Sequence, residues 1–265
     1  MISDERRQRL AELIAERGIV DVATLVGRLG VSESTVRRDL AQLDEDGLVK
    51  RTHGGAVFIS DRFSALNYAA RASTAEAEKR AIARAAAGLV DDDEVVLING
   101  GTTTYEVARE LLGRPMRVVT NSLPIANLFG AAPEVELTVV GGYLYPRTGV
   151  MLGPAAKGAL ETVHANKAVM GCAGVTERGY FNANALMVEV EQQMMKCADE
   201  VILVVDSSKF GRAALARIGE LSEADYLICD EGLEPRWREM VRSAGVTLTL
   251  APMALDSEPS AEDDT

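Results

Sequence analysis

Between Val95 and Leu250 short apolar runs alternate with helix-length stretches, and no other feature limits the fold as tightly. Val95–Asn99, Arg117–Thr120, Leu137–Val140, Lys167–Gly171, Val201–Val205, Asp225–Cys229 and Val246–Leu250 read as strands. Tyr105–Leu112, Pro124–Phe129, Ala155–Val163, Ala185–Cys197 and Arg236–Ser243 lie between them at helical spacing. Strands without a polar face need cover on both sides. The expectation is therefore an α/β unit whose mostly parallel sheet lies between helices. An alanine-rich helix through Glu78-Lys79-Arg80 to Leu89 leads into it.

The first sixty residues follow another pattern. Leu10, Leu13 and Ile14 mark a first helix, capped by Ser3 and stopped at Gly18. Ile19-Val20 reads as a short strand, Ala23–Leu29 as a second helix and Gly30-Val31 as a turn. Ser32 is a good N-cap for a third helix that reaches about Glu45 and ends at Gly47. Val36, Leu40 and Leu43 form its inner face, so Ser34 and Arg38 face outward with Thr35 and Arg37 beside them. Leu48–Arg51 and Ala56–Ile59, joined by Thr52-His53-Gly54-Gly55, form a two-stranded wing. Three helices and a wing describe a winged helix-turn-helix.

Arginine pairs with guanine edges or phosphates, and hydroxyls reach either. Ser32, Ser34, Thr35, Arg37 and Arg38 thus form a candidate major-groove surface. Lys50, Arg51 and His53 on the wing are placed for phosphate or the minor groove; His53 fits equally well as a turn residue packed on the domain.

The net charge of −12 opposes DNA binding only as a sum. Residues 1–57 hold 9 Lys/Arg and 10 Asp/Glu, so nearly all the acidic excess lies further on. Arg28, Arg37, Arg38, Lys50 and Arg51 gather around the third helix, giving one basic face on a near-neutral head. Three scattered cysteines, Cys172, Cys197 and Cys229, fit a reducing cytoplasm. With only His53 and His164 as histidines, the chain shows no metal motif, and no cofactor is implied. No apolar run is long enough to span a bilayer, so no membrane role is expected, and the charged N-terminus lacks a signal-peptide core.

Gly100-Gly101-Thr102-Thr103-Thr104 joins a strand to a helix start. Two glycines permit close backbone approach, and the helix start offers unpaired N–H groups and a positive dipole end. This is a candidate cradle for phosphate or carboxylate; the plain alternative is a turn that caps a helix. Neither the P-loop nor the dinucleotide fingerprint is present here. Thr120-Asn121-Ser122, Gly141-Gly142 and Asp206-Ser207-Ser208-Lys209 end strands at the same sheet edge, where open α/β sheets bind ligands. Lys209 could pair with a phosphate, and Asp206 could accept from sugar hydroxyls or hold Lys209. The plain alternatives are a solvated lysine and a strand-end cap.

Arg6-Arg7-Gln8-Arg9-Leu10, Gly30-Val31-Ser32, Thr35-Val36-Arg37-Arg38-Asp39-Leu40, Gly47-Leu48 and Arg51-Thr52-His53-Gly54-Gly55-Ala56 together resemble the DeoR family of bacterial transcriptional regulators. The resemblance continues through Glu78-Lys79-Arg80, Gly101–Thr104, Thr120–Ser122, Gly141-Gly142, Gly153-Pro154 and Asp206–Phe210. It implies an operator-binding head and an effector domain similar in fold to ribose-5-phosphate isomerase and glucosamine-6-phosphate deaminase. The implied effector is a phosphorylated sugar. Lys79, Asp206 and Lys209 match family positions tied to inducer response, and Glu189 matches a family glutamate. Where many relatives carry Gly-Ala-Asp-Gly, this chain has Gly171-Cys172-Ala173-Gly174, and the loop Gly179–Asn184 also departs from the pattern. Asn182 or Asn184 is a candidate to take over polar contacts.

The expected organisation is a head over residues 1–59, a linker over 60–75, an effector domain over 76–252 and a disordered acidic tail over 253–265. The function that follows is a DNA-binding regulator, a repressor of a sugar or carbohydrate operon, with operator DNA, a phosphorylated sugar and further copies of itself, as a dimer or tetramer, as partners. The alternative is a sugar-phosphate isomerase-like enzyme with a DNA-binding head. Isomerisation needs a general base. Glu189 and Asp206 are available for that, but no histidine lies near the loops and Ala173 replaces a carboxylate. A third reading, in which the head meets protein rather than DNA, sits poorly with Arg37, Arg38 and the basic wing.

Overall fold

A computed structural model describes residues 6–7, 9–11, 13–14, 19–45, 49–52, 54–58, 72 and 74–253. They form two compact units, one drawn from the residues before 72 and the other built on the chain from Ala72 onward. The proposed helix ends at Ser3 and Gly18, the turn at Gly47, the side chain of Lys50, His53, nearly all of the linker and most of the acidic tail lie outside the described residues.

In the first unit residues 6–7, 9–11 and 13–14 are helical, and helices Val22–Leu29 and Glu33–Glu45 follow. Asp21 caps the first of these two by accepting from Thr24 N at 2.8 Å, and Gly30 ends it in the left-handed conformation at φ 65°. Leu10, Ile14, Leu25, Val36 and Leu40 are buried together, with Leu43, Val49 and Ala56 completing the core. The expected two-stranded wing is a three-stranded antiparallel sheet, because Ile19–Asp21 (β1) joins Val49–Arg51 (β2) and Gly55–Phe58 (β3) in the order β1-β3-β2. Gly55 belongs to β3 rather than to the turn, and a Cβ there would stand 2.1 Å from the Val20 carbonyl oxygen. Only glycine lets β3 close on β1.

The second unit is a seven-stranded parallel sheet. Its strands are Val95–Ile98 (β4), Met116–Thr120 (β5), Val135–Val139 (β6), Ala165–Met170 (β9), Ala198–Val204 (β12), Tyr226–Asp230 (β14) and Thr247–Ala251 (β15), in the order β15-β14-β12-β9-β4-β5-β6. Alternate residues of a strand go to opposite layers. Val96, Ile98, Val118, Val169, Ile202 and Val204 join one buried cluster, while Leu97, Val119, Ala168, Met170 and Leu203 join the other. Helices Glu76–Ala87, Thr102–Glu110 and Leu123–Phe129 cover the first face; Pro154–Leu160, Ala185–Lys196 and Pro235–Ser243 cover the second.

Short elements escape periodicity. Tyr143–Tyr145 (β7) and Val150–Leu152 (β8) form a hairpin, and Gly174–Thr176 (β10), Gly179–Asn182 (β11) and Ala216–Gly219 (β13) form a small antiparallel sheet. The expected loop at Gly179–Asn184 is thus a strand as far as Asn182.

Candidate DNA-binding and effector sites

The helix Glu33–Glu45 begins as expected. The Thr35 N–H donates to Ser32 Oγ at 3.3 Å, and Ser32 Oγ lies 3.0 Å from Ser34 Oγ and 2.8 Å from Thr35 Oγ1. Ser32, Ser34, Arg37, Arg38 and Arg51 are exposed and Thr35 is half-buried, while Val36 and Leu40 face the core. The two arginines differ. Arg37 pairs with Glu33 one turn back, Nη2 to Oε1 at 2.6 Å, whereas Arg38 forms no ion pair among the described residues. Lys50 lies in β2, opposite Val57.

One positioning contact has no signal in helix periodicity. Asp39, nearly fully buried, accepts from Arg6 Nε at 2.6 Å and Nη2 at 3.1 Å. This two-pronged bond ties the first helix to the helix that carries Arg38.

In the second unit, β4 leads to β5 and β6 on one side, and β9 to β12, β14 and β15 on the other. The order reverses between β4 and β9, which is where an open α/β sheet leaves a crevice beyond its strand ends. Asn99 follows β4 into this point. Its Nδ2 donates to the Gly171 carbonyl at 3.1 Å, and the Gly171 N–H donates to its Oδ1 at 2.9 Å. The next two residues open the helix Thr102–Glu110, whose N-cap, Gly101, supplies no side-chain bond. The first-turn N–H groups thus lack a side-chain cap. Gly100 packs where a Cβ would meet Val150 Cγ1 at 2.1 Å.

The remaining candidates divide by what holds them. Thr104 is fully buried, and its hydroxyl donates to the Asn99 carbonyl at 2.7 Å. Its proton is therefore already used, and of the candidate cradle residues Thr104 has no hydroxyl proton left for a ligand. Asn121 donates from Nδ2 to the Met151 carbonyl at 3.0 Å, and Ser122 is buried beside it in sequence. Gly142, at φ 153°, sits where a Cβ would come 2.7 Å from the Leu152 carbonyl oxygen, so packing against β8 accounts for it; Gly141 has open space.

Asp206 is buried and caps the turn Ser207–Lys209, accepting from Ser208 N at 3.1 Å, with Lys209 Nζ 3.7 Å from its Oδ2. Asp230, which sequence reading passed over, also accepts from Ser207 N at 2.7 Å and from Gly232 N at 3.0 Å. Lys79 does not start its helix but lies in the first turn after Glu76. It is buried, and its Nζ donates to the Thr74 carbonyl and, at 3.5 Å, to that of Ala72.

Glu189 is exposed on the helix Ala185–Lys196, and the buried carboxylate of that helix is Glu191. Asn184 caps the helix, accepting from Leu186 N at 2.9 Å, so its side chain is committed there. Asn182 instead donates to Glu191 Oε1 at 2.8 Å, as does Asn99 at 3.2 Å. Burial pushes the Glu191 carboxyl up to about 7, against the lowering effect of the two amide bonds. Burial and then the Glu191 charge push the Cys172 thiol up to about 12.

The folded chain therefore keeps a proton on Glu191 that the unfolded chain releases above its ordinary value of 4.5. The stability tied to this proton is complete below that value and is lost as pH rises towards 7. At about 1.4 kcal/mol per unit the loss is on the order of 3 kcal/mol by pH 8. Glu191→Gln cannot ionise. It is expected to flatten the stability profile between about pH 5 and 8 and to melt above wild type at pH 8. A wild-type profile no steeper than the variant's would contradict the neutral buried carboxyl.

A winged helix-turn-helix joined to a parallel α/β unit is the architecture of a DNA-binding regulator with a second, α/β domain. Residues 6–62 match the DeoR-like helix-turn-helix domain, and residues 74–231 match the DeoR C terminal sensor domain. The chain belongs to the DeoR family. It is 32% identical, over 94% of each chain, to a putative aga operon transcriptional repressor of Escherichia coli O157:H7. It is 31% identical to the HTH-type transcriptional regulator UlaR of Escherichia coli O1:K1, over 94% of this chain and 99% of that one. Among solved structures, the ribose 5-phosphate isomerase A of Methanocaldococcus jannaschii overlaps 52% of this chain and 55% of its own length, at 20% identity and a TM-score of 0.39. The chain thus spans about half the length of that isomerase. The family to which both domains belong is one of transcriptional regulators, not enzymes. Among the described residues no helix is long and apolar enough to cross a membrane.

Proposed function

We propose that the chain represses a sugar or carbohydrate operon and that a phosphorylated sugar controls its affinity for the operator. The observation that carries this reading is the uncapped start of the helix Thr102–Glu110 beside the switch point between β4 and β9. An uncapped helix start favours an anion, and a phosphate satisfies its free N–H groups. In this reading the phosphate sits on Gly101–Thr103, Lys209 adds charge, and Asp206 holds Lys209 and its turn. Lys79 ties the first sensor helix to the residues that precede it, so a ligand acting on that helix has a route towards the head. The putative aga operon transcriptional repressor among its relatives supports repression of an operon. Operator binding by two paired heads, each on a half-site, is part of the same proposal; sedimentation of a DNA-bound monomer would contradict it.

The test uses the full chain. A thermal-shift screen of sugar phosphates is followed by fluorescence anisotropy on an operator selected from random DNA. A stabilising sugar phosphate is expected to change operator affinity by roughly 5–150-fold, which corresponds to a coupling of about 1–3 kcal/mol. Lys209→Ala is expected to hold the operator as wild type does but to lose most of that response. The absence of any stabilising sugar phosphate, or one that leaves operator affinity unchanged, would refute the proposal.

A further inference from the structure

Glu191 is a buried carboxylate that no ion pair among the described residues accounts for. On its helix it shares a stripe with Met187, Met194 and Met195, all buried, so packing alone would favour an apolar residue there. Its Oε1 accepts from both Asn99 and Asn182, while its Oε2 is buried without a partner among the described residues. Asn121, at the end of β5, repeats the pattern, with its Nδ2 bonded to the Met151 carbonyl and its Oδ1 buried and unpartnered. Buried acceptors are nearly always satisfied, so each such exception needs an explanation. Asn99 supplies one for Glu191. The same amide that orients Glu191 bridges β4 to Gly171 across the switch point and immediately precedes the glycines of the anion cradle. The Ala173 side chain has no polar atom, and burial keeps the Cys172 thiol protonated, so neither supplies a carboxylate-like acceptor.

We infer that Glu191, held in orientation by Asn99 and Asn182, recognises the sugar part of the effector, its Oε2 accepting a hydrogen bond from a ligand hydroxyl. The inference rests on the proposal of a phosphorylated-sugar effector and assigns its second half: the helix start takes the phosphate and Glu191 takes a hydroxyl. Asn121 Oδ1 is a second acceptor, so the ligand class is a phosphorylated polyhydroxy chain.

Glu191→Gln is a clean test because the two amides dictate how glutamine sits. The carboxamide oxygen must stay at the Oε1 position to accept from Asn99 and Asn182, which forces the NH2 into the Oε2 position. At pH 8, above the raised Glu191 pKa of about 7, the substitution thus turns an ionised acceptor into a donor at the point that meets the ligand. Wild type and variant are titrated calorimetrically at pH 8 with inorganic phosphate, ribose 5-phosphate, fructose 6-phosphate, glucosamine 6-phosphate and glucitol 6-phosphate. The panel member that binds wild type is expected to bind the variant at least about tenfold more weakly, the usual scale for a hydrogen bond to a charged group. Inorganic phosphate is expected to bind both alike, and both chains should melt cooperatively. If the variant does not fold, Asn182→Ala, which leaves Glu191 with one orienting bond, is expected to show a smaller loss of the same kind. Equal affinity of variant and wild type for the sugar phosphate would overturn this inference and leave the proposed function standing. An equal loss for sugar phosphate and inorganic phosphate would also overturn it, by making the role structural. No binding of any panel member to wild type would overturn the proposed effector class and this inference with it.

Discussion

Arg38→Ala is expected to weaken binding to the selected operator by about 1–3 kcal/mol, or roughly 5–150-fold, while binding to unrelated DNA changes little. Arg38 is exposed on the outer face of the third helix and forms no ion pair among the described residues, so its guanidinium is available for a base edge. Arg37 is engaged by Glu33, and must leave that pair before it can contact DNA. The pair is exposed at both ends and holds Arg37 only weakly. Lys50→Ala provides the contrast. Loss of a phosphate contact weakens all sequences alike and lowers the slope of affinity against salt by about one. Competition binding at three salt concentrations separates these outcomes. Unchanged discrimination by the Arg38 variant would remove it from the readout.

Asp39→Ala is expected to reduce operator affinity by about tenfold or more without touching DNA at all. Asp39 faces inward and receives two hydrogen bonds from Arg6, so its removal strands a largely buried guanidinium. Removing one member of such a pair costs far more than replacing both with apolar residues. The double change Arg6→Leu with Asp39→Leu is therefore expected to recover much of the thermal stability that the single change loses. The sensor unit should melt unchanged in both. A single variant that melts and binds as wild type would show that the pair does not position the helix.

All seven strands of the parallel sheet were legible, the inner ones as largely apolar runs buried on both faces and the edge strands β6 and β15 as alternating runs that stay partly exposed. The hairpin β7-β8 and the small sheet β10-β11-β13 were not. Their strands are three or four residues long, and neighbouring elements rather than local periodicity decide their pairing. The head was legible from Ser32, Val36, Leu40 and Leu43, since a cap followed by a helical stripe fixes which residues face out. Its sheet was one strand short in that reading because β1 pairs with β3 across more than thirty residues of chain.

The cradle could be placed by its glycines and the strand before it, but not its polar partners. Asn99 reads as the polar end of an apolar strand, and only the fold brings it to Gly171 and Glu191. Helical phase offered one missed signal: Glu191 lies four residues after Met187 and three before Met194, on the buried stripe, whereas Glu189 lies on the opposite face.

The central claim is that one chain couples an effector crevice to an operator-binding head. Coupling between two ligands is reciprocal: the factor by which effector changes operator affinity must equal the factor by which operator changes effector affinity. Calorimetric titration of the full chain with its stabilising sugar phosphate, with and without saturating operator, measures this directly. The account predicts effector dissociation constants that differ between the two titrations by the same roughly 5–150-fold factor seen in operator binding. Equal constants in the presence and absence of operator would contradict it.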